Sequence, residues 1–171
     1  IIRRLVLEYA QPALVKRLQA EIHPRQVTAG QEHEFTLSVL SHTITSSRAA
    51  VTGFRRLEIL TGAAVTAIDR VLVDDVEVPY SSSIRVGESF TVNLGQRIDQ
   101  DGTFVQIVFR AALFRDATRF ETRIVDLRIA DGRLESVYQT AAAGDIDDES
   151  PGGELVVRIA TDEELQVVGN V

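Results

Sequence analysis

At 171 residues, 44% of them hydrophobic, the chain is long enough for one domain with a substantial core and too apolar to be disordered. A formal charge of −7, with arginines spread along the chain and Lys16 as the only lysine, argues against a nucleic-acid partner, because phosphate binding needs a concentrated basic surface. There is no cysteine, which excludes disulfides and thiolate metal sites, and no apolar run approaches the ~20 residues of a bilayer-spanning helix.

Residues 1–9, IIRRLVLEY, form a short apolar segment ahead of Pro12, which interrupts a ladder strand. Leu5, Leu7 and Tyr9 alternate with Val6 and Glu8, which favours a strand over helical turns. The reading is an N-terminal strand or extension over 1–11, followed by a single domain over 12–171. In VKRLQAEIHP, Leu18, Ala20 and Ile22 share one face; after the turn at Gly30, Phe35, Leu37 and Val39 do the same. The Ser/Thr-rich stretch 41–52 reads as a long exposed loop.

GFRRLEIL resumes strand character, with a bulge expected at Arg55-Arg56 because Phe54 and Leu57 break strict alternation. Val71, Val73, Val76 and Val78 alternate through 64–79 about a turn at Asp74-Asp75, and Ser81-Ser82-Ser83 reads as a loop. Phe90, Val92 and Leu94 mark the next strand, closed by a turn at Asp99-Gln100-Asp101-Gly102.

The strongest signal is residues 103–129, two long strands around the short polar turn Arg115-Asp116-Ala117-Thr118. Val105, Ile107, Phe109, Ala111 and Leu113 alternate along the first strand, and the second opens at Phe120. Arg110, Arg123 and Arg128 are expected to face water and discourage edge-to-edge aggregation. An Asp131-Gly132 turn, the strand LESVYQ, a polar acidic loop over 141–153, and ELVVRIA with Leu155, Val157 and Ile159 in phase complete the chain. About nine to eleven short strands with frequent turns and no amphipathic helix predict an all-β antiparallel sandwich, immunoglobulin-like or jelly-roll.

Four stretches carry a family resemblance: AEIHPRQVTAGQEHEFTLSV, GFRRLEIL with AAVTAIDRVLV, FVQIVFRAAL, and FETRIVDLRIADG with ELVVRI downstream. In order and hydrophobic pattern, roughly over residues 18–160, they resemble the cohesin-like and related immunoglobulin-like sandwich modules of bacterial extracellular proteins. Thr61-Gly62 stands where cohesins commonly carry a Tyr-Asp pair, so the resemblance does not extend to dockerin recognition. It implies a module of a larger secreted or cell-surface assembly, and the lack of cysteine accords with export.

The acidic run 145–149 is the candidate cation site, since calcium takes roughly six to eight hard oxygen ligands. Asp145, Asp147, Asp148 and Glu149 would supply the carboxylates. Their spacing lacks the Gly and distal Glu of the helix–loop–helix calcium loop, and a solvated acidic loop is the plain alternative. Asp99 and Asp101 are explained by their turn. His23, His33 and His42 would need to converge to hold zinc, and exposed strand-end histidines are the commoner outcome.

No Gly-x-Ser-x-Gly, phosphate-binding loop or dinucleotide fingerprint occurs, so catalysis is not expected. There is no Trp for a sugar platform; of Tyr9, Tyr80 and Tyr138, Tyr80 sits in a Pro-Tyr-Ser-Ser-Ser stretch that reads as exposed. The expected function is a non-catalytic structural or protein-binding module acting through loops 41–52 and 141–153 and strand edges. Two alternatives stand beside it: a carbohydrate-binding module taking polysaccharide, and a strand-exchange filament in which residues 1–9 pair with a neighbour.

Overall fold

The structure, a computed structural model, describes residues 13–46, 53–100, 102–140, 142–143 and 155–160. Among them all regular structure is strand. The first sheet is built on β1 (Ala13–His23), β3 (Glu32–Ser46), β9 (Thr103–Ala112) and β5 (Ala64–Val73), side by side in that order. Two-residue strands flank it: β12 (Ala142–Ala143), parallel to β1, and β6 (Val76–Glu77), antiparallel to β5.

The second sheet runs β2 (Gln26–Val27), β13 (Val156–Ile159), β10 (Thr118–Ala130), β4 (Phe54–Thr61), β8 (Ser89–Ile98) and β7 (Tyr80–Arg85). There, β11 (Arg133–Thr140) pairs with the C-terminal half of β10, whose first residues pair with β13. This is a two-sheet β-sandwich, as the alternation predicts.

The turns follow their chemistry. Asp74-Asp75 and Asp131-Gly132 carry positive φ at both central positions, the backbone that two-residue hairpins require and that Asp and Gly tolerate. The expected bulge in β4 is present, with the register against β8 slipping between Phe54 and Arg56. Leu18, Ala20 and Ile22, then Phe35, Leu37 and Val39, then Val105, Ile107 and Phe109 line the inner face of the first sheet. Leu57, Ile59, Phe90, Val92, Phe120, Ile124 and Val157 line that of the second.

At the centre four rings lock the layers together. Phe35 and Phe109 are cross-strand partners in the first sheet, stacked with centroids 5.5 Å apart. Phe109 meets Phe90 at 4.9 Å and Phe120 at 5.9 Å, both in the second sheet, and Phe35 meets Phe120 at 6.0 Å. Such pairs contribute about 0.5–1.5 kcal/mol each beyond the area they bury.

Several expectations are corrected. Of the loop expected over 41–52, residues 41–46 are strand: β3 continues to Ser46, paired with β1 as far as Ala13. Ser41 is 1% exposed: Gly102 N–H donates to its carbonyl, and its own hydroxyl reaches Thr103 O at 3.4 Å. Small hydroxyl residues fit a central strand once both backbone edges are paired.

Ser81-Ser82-Ser83 is likewise strand, the body of β7. Tyr80 opens that strand half-buried, its hydroxyl donating to Ile68 O at 2.9 Å and tying β7 to β5. Val76 stands opposite Val73 on the same face, as the alternation predicts, but is exposed because β6 is the two-residue strand at the margin of its sheet.

Arg110 and Arg123 are not edge guards either, since each stands on a stretch of strand paired on both sides; nothing is described of the Arg128 side chain. Arg110 pairs with Asp69 at 3.1 Å, and half-buried Arg123 reaches its cross-strand partner Glu58 at 2.8 Å. The segment 1–9, Pro12 and residues 47–52 lie outside the described residues.

Two outcomes follow from this core. Phe109→Ala removes the ring that touches the other three and lowers unfolding stability by about 3–5 kcal/mol, read as a shift in urea midpoint at unchanged slope. Burial, then the charges of Asp69 and Glu77, raise the Tyr80 hydroxyl above its ordinary pKa. The folded state therefore holds a proton that the unfolded chain releases, so stability present below pH ~10 is lost as pH rises beyond it. In Tyr80→Phe that component of the alkaline loss disappears from a series of melts between pH 8 and 11 (about those limits).

Candidate functional site

The long strands β9 and β10 do not form a hairpin. β9 pairs with β3 and β5 while β10 pairs with β4, β11 and β13, so residues 113–117 cross from one sheet to the other. Leu113 is the last inward residue of this arch and Phe120 the next, which leaves 114–117 outside the core. Ala117 takes φ of 59°, turning the chain into the second sheet.

Hydrogen bonds pin the arch on all sides. Gly30, at φ 71° in the turn before β3, donates its N–H to Leu113 O at 2.8 Å. One oxygen of Asp116 accepts both Ala117 N–H and Ile159 N–H at 3.0 Å, fastening β13 to the arch. Thr118 Oγ1 donates to Arg115 O at 2.9 Å, and Phe120 N–H to Leu155 O at 2.8 Å.

Beside the arch, the turn after β7 is held to the end of β4 by Thr61 N–H donating to Glu88 O at 3.0 Å. These connections enclose an open groove of about 620 Å³ at one end of the sandwich. Leu60, Gly62, Glu88, Phe114, Arg115 and Arg119 are among its walls. Phe114 is 71% exposed on its rim, and Val86, next to the wall residue Gly87, is 70% exposed. Two large apolar side chains are thus left in water beside charges of both signs, Glu88, Arg115 and Arg119.

The sequence reading did not single out Phe114. Its signal is a second bulky residue directly after inward Leu113: with a period of two, one of any adjacent pair must face out.

The histidines do not come together. His42, opposite Arg17, stands nine residues along β3 from His33, about 30 Å for an extended strand. His33 Nε2 accepts Thr28 N–H at 3.2 Å, and His23 Nε2 lies 3.6 Å from Glu21. His33 and His23 each serve their own strand end. Asp99 is exposed near Arg97 at 3.8 Å, while Asp101 is outside the described residues. Tyr80, its hydroxyl committed to Ile68, offers no flat platform to a sugar.

Asp145, Asp147, Asp148 and Glu149 lie outside the described residues, as do Tyr9 and most of the loop 141–153. Among the described residues no group of three or more His, Asp or Glu side chains is placed to hold a metal.

No protein-family description matches the chain, and no curated protein matches it in sequence. Among solved structures it is similar to a non-cellulosomal cohesin from the hyperthermophilic archaeon Archaeoglobus fulgidus, at 10% identity over 92% of this chain and 99% of that one, TM-score 0.42. It is similar also to the cohesin module of a Clostridium perfringens family 33 glycoside hydrolase, at 11% identity over 86% and 100%, TM-score 0.39. A third is AvmM, which catalyses macrocyclization in alchivemycin A biosynthesis, at 10% identity over 80% and 92%, TM-score 0.31. These overlaps are loose, and the two-sheet architecture rests on the strand pairing itself.

The acidic run is tested directly in solution. If it holds calcium, millimolar calcium raises the melting temperature over that in chelator, since a ligand of the folded state must stabilise it. An unchanged melt removes the assignment.

Proposed function

We propose that this protein is a non-catalytic, protein-binding module of a secreted or cell-surface assembly, and that it engages its partner at the arch end of the sandwich. Phe114 carries the reading: a rigid aromatic held in water on the rim of a groove whose backbone is fixed by hydrogen bonds. Aromatic side chains in such positions are the usual anchors of protein interfaces, because they bury a large area at little cost in side-chain entropy.

The segment it suits brings an apolar side chain against Phe114 and a carboxylate toward exposed Arg115. Polar groups that would otherwise invite a catalytic reading have structural work here. Asp116 holds two backbone amides and His33 accepts a third. The resemblance of the sequence pattern to cohesin-like modules accords with a role in assembly.

The test is a partner screen with the intact chain as bait, followed by Phe114→Ala. The substitution is expected to weaken binding by about 30-fold, roughly 2 kcal/mol, with the melting temperature unmoved because the ring is exposed. Binding unaffected by the loss of Phe114 overturns this assignment of the surface.

A further inference from the structure

The last described residues lie beside the arch. Ile159 N–H donates to Asp116, and Ala160 N–H donates to Val27 O at 3.0 Å. β13 runs parallel to β2 with Ile159 opposite Val27, so at Ala160 the chain heads the same way as Thr28, Ala29 and Gly30. Three residues of extended chain cover about 10 Å. At the end of that path stands Phe114, whose Cε1 lies 3.6 Å from the point a β-carbon on Gly30 would occupy.

The sequence after Ala160 is Thr161-Asp162-Glu163-Glu164-Leu165-Gln166-Val167-Val168, all outside the described residues. Three carboxylates come first, and Leu165 is the first large apolar residue. Five extended residues from Ala160 to Leu165 span up to roughly 17 Å, more than the path to the Gly30 turn.

The rim suits that order. Phe114 is 71% exposed. Its neighbour Arg115 is exposed and has no carboxylate partner among the described residues. Elsewhere the groove wall is mixed, Arg119 standing with Glu88, Asp116 and Glu121, so charge alone does not select an acidic occupant. The selection comes from the heading of the chain at Ala160, its reach, and carboxylates placed just before Leu165.

We propose that residues 161–168 fold back onto the rim of their own module, with Leu165 against the ring of Phe114 and a carboxylate of 162–164 on Arg115. A tether this short gives an effective concentration on the order of millimolar, so a contact too weak to hold a free peptide is populated within the chain. A partner must then displace it. Occupancy of about half to nine-tenths lowers the partner's apparent affinity roughly two- to tenfold. The contact itself is independent of the function proposed above, and only this competition rests on that reading.

Proton NMR of the full chain reads the contact, because an aromatic ring displaces the signals of a methyl group packed on its face. The Leu165 methyl signals, assigned by their loss in Leu165→Ser, should lie upfield of their unfolded-chain position. They should return to it in Phe114→Leu, which keeps an apolar side chain and removes the ring, and move part of the way in Arg115→Glu. The displacement should be the same at ~0.05 and ~1 mM, as a contact within one chain requires. With a partner in hand, Leu165→Ser should tighten its binding about two- to tenfold.

Leu165 methyls at the unfolded position, or a displacement that survives Phe114→Leu, overturn the proposal. So does one that grows with concentration, which assigns the contact to a second copy, and so does partner affinity indifferent to Leu165→Ser. A partner held through Phe114 with Leu165 undisplaced sinks this inference alone. A displaced Leu165 with binding indifferent to Phe114→Ala sinks the partner site and leaves the contact standing.

Discussion

Everything in this molecule hangs on the contact between Phe109 and the rings of Phe35, Phe90 and Phe120. A β-sheet buries one face only if another layer covers it, and here the cover is the second sheet, reached by rings long enough to span the gap. Phe109 touches rings from both layers, so it fixes the distance and the lateral offset between them at once. Smaller core residues such as Ala20, Ala63 and Ala111 then fill space whose shape the rings have already set.

From that offset follows the position of the arch. Phe109 lies in β9 and Phe120 in β10, and the rings meet, so the chain between them has eleven steps in which to cross from sheet to sheet. Leu113 is still needed in the core, and Phe120 re-enters it. The few residues between must turn sharply, which is why Ala117 accepts a positive φ and Asp116 caps two amides. Phe114 is thus exposed as a consequence of topology. Its ring cannot follow Leu113 inward, and the turn leaves it no neighbouring core to join.

Most of the fold was legible because alternation is a local signal. Phe35, Leu37 and Val39, or Val105, Ile107 and Phe109, announce their inner face whatever their partners are. What alternation does not encode is which strand lies beside which. Residues 103–129 read as two strands about a polar turn, yet the two halves belong to different sheets, a distinction made by long-range pairing.

The misread stretches share a composition. Residues 41–46 and 81–83 are rich in Ser and Thr, which suit loops and half-exposed strands equally, and their neighbours decide between the two. The candidate site was less legible still. Carboxylates and histidines draw attention because they can do chemistry, whereas the groove depends on a Phe whose meaning comes from where the chain must cross.

The two exposed surfaces differ in what they would ask of a partner. At the arch, recognition rests on one aromatic and nearby charges, so it is specific to side chains and tolerant of backbone. Along β7 it would rest on peptide groups, which every extended chain possesses, so that edge by itself selects no partner. An edge of that kind is dangerous in a crowded solution unless something limits its reach. Here the limit is length and attachment: β7 offers six residues, and the first of them, Tyr80, is tied through its hydroxyl to Ile68 of β5.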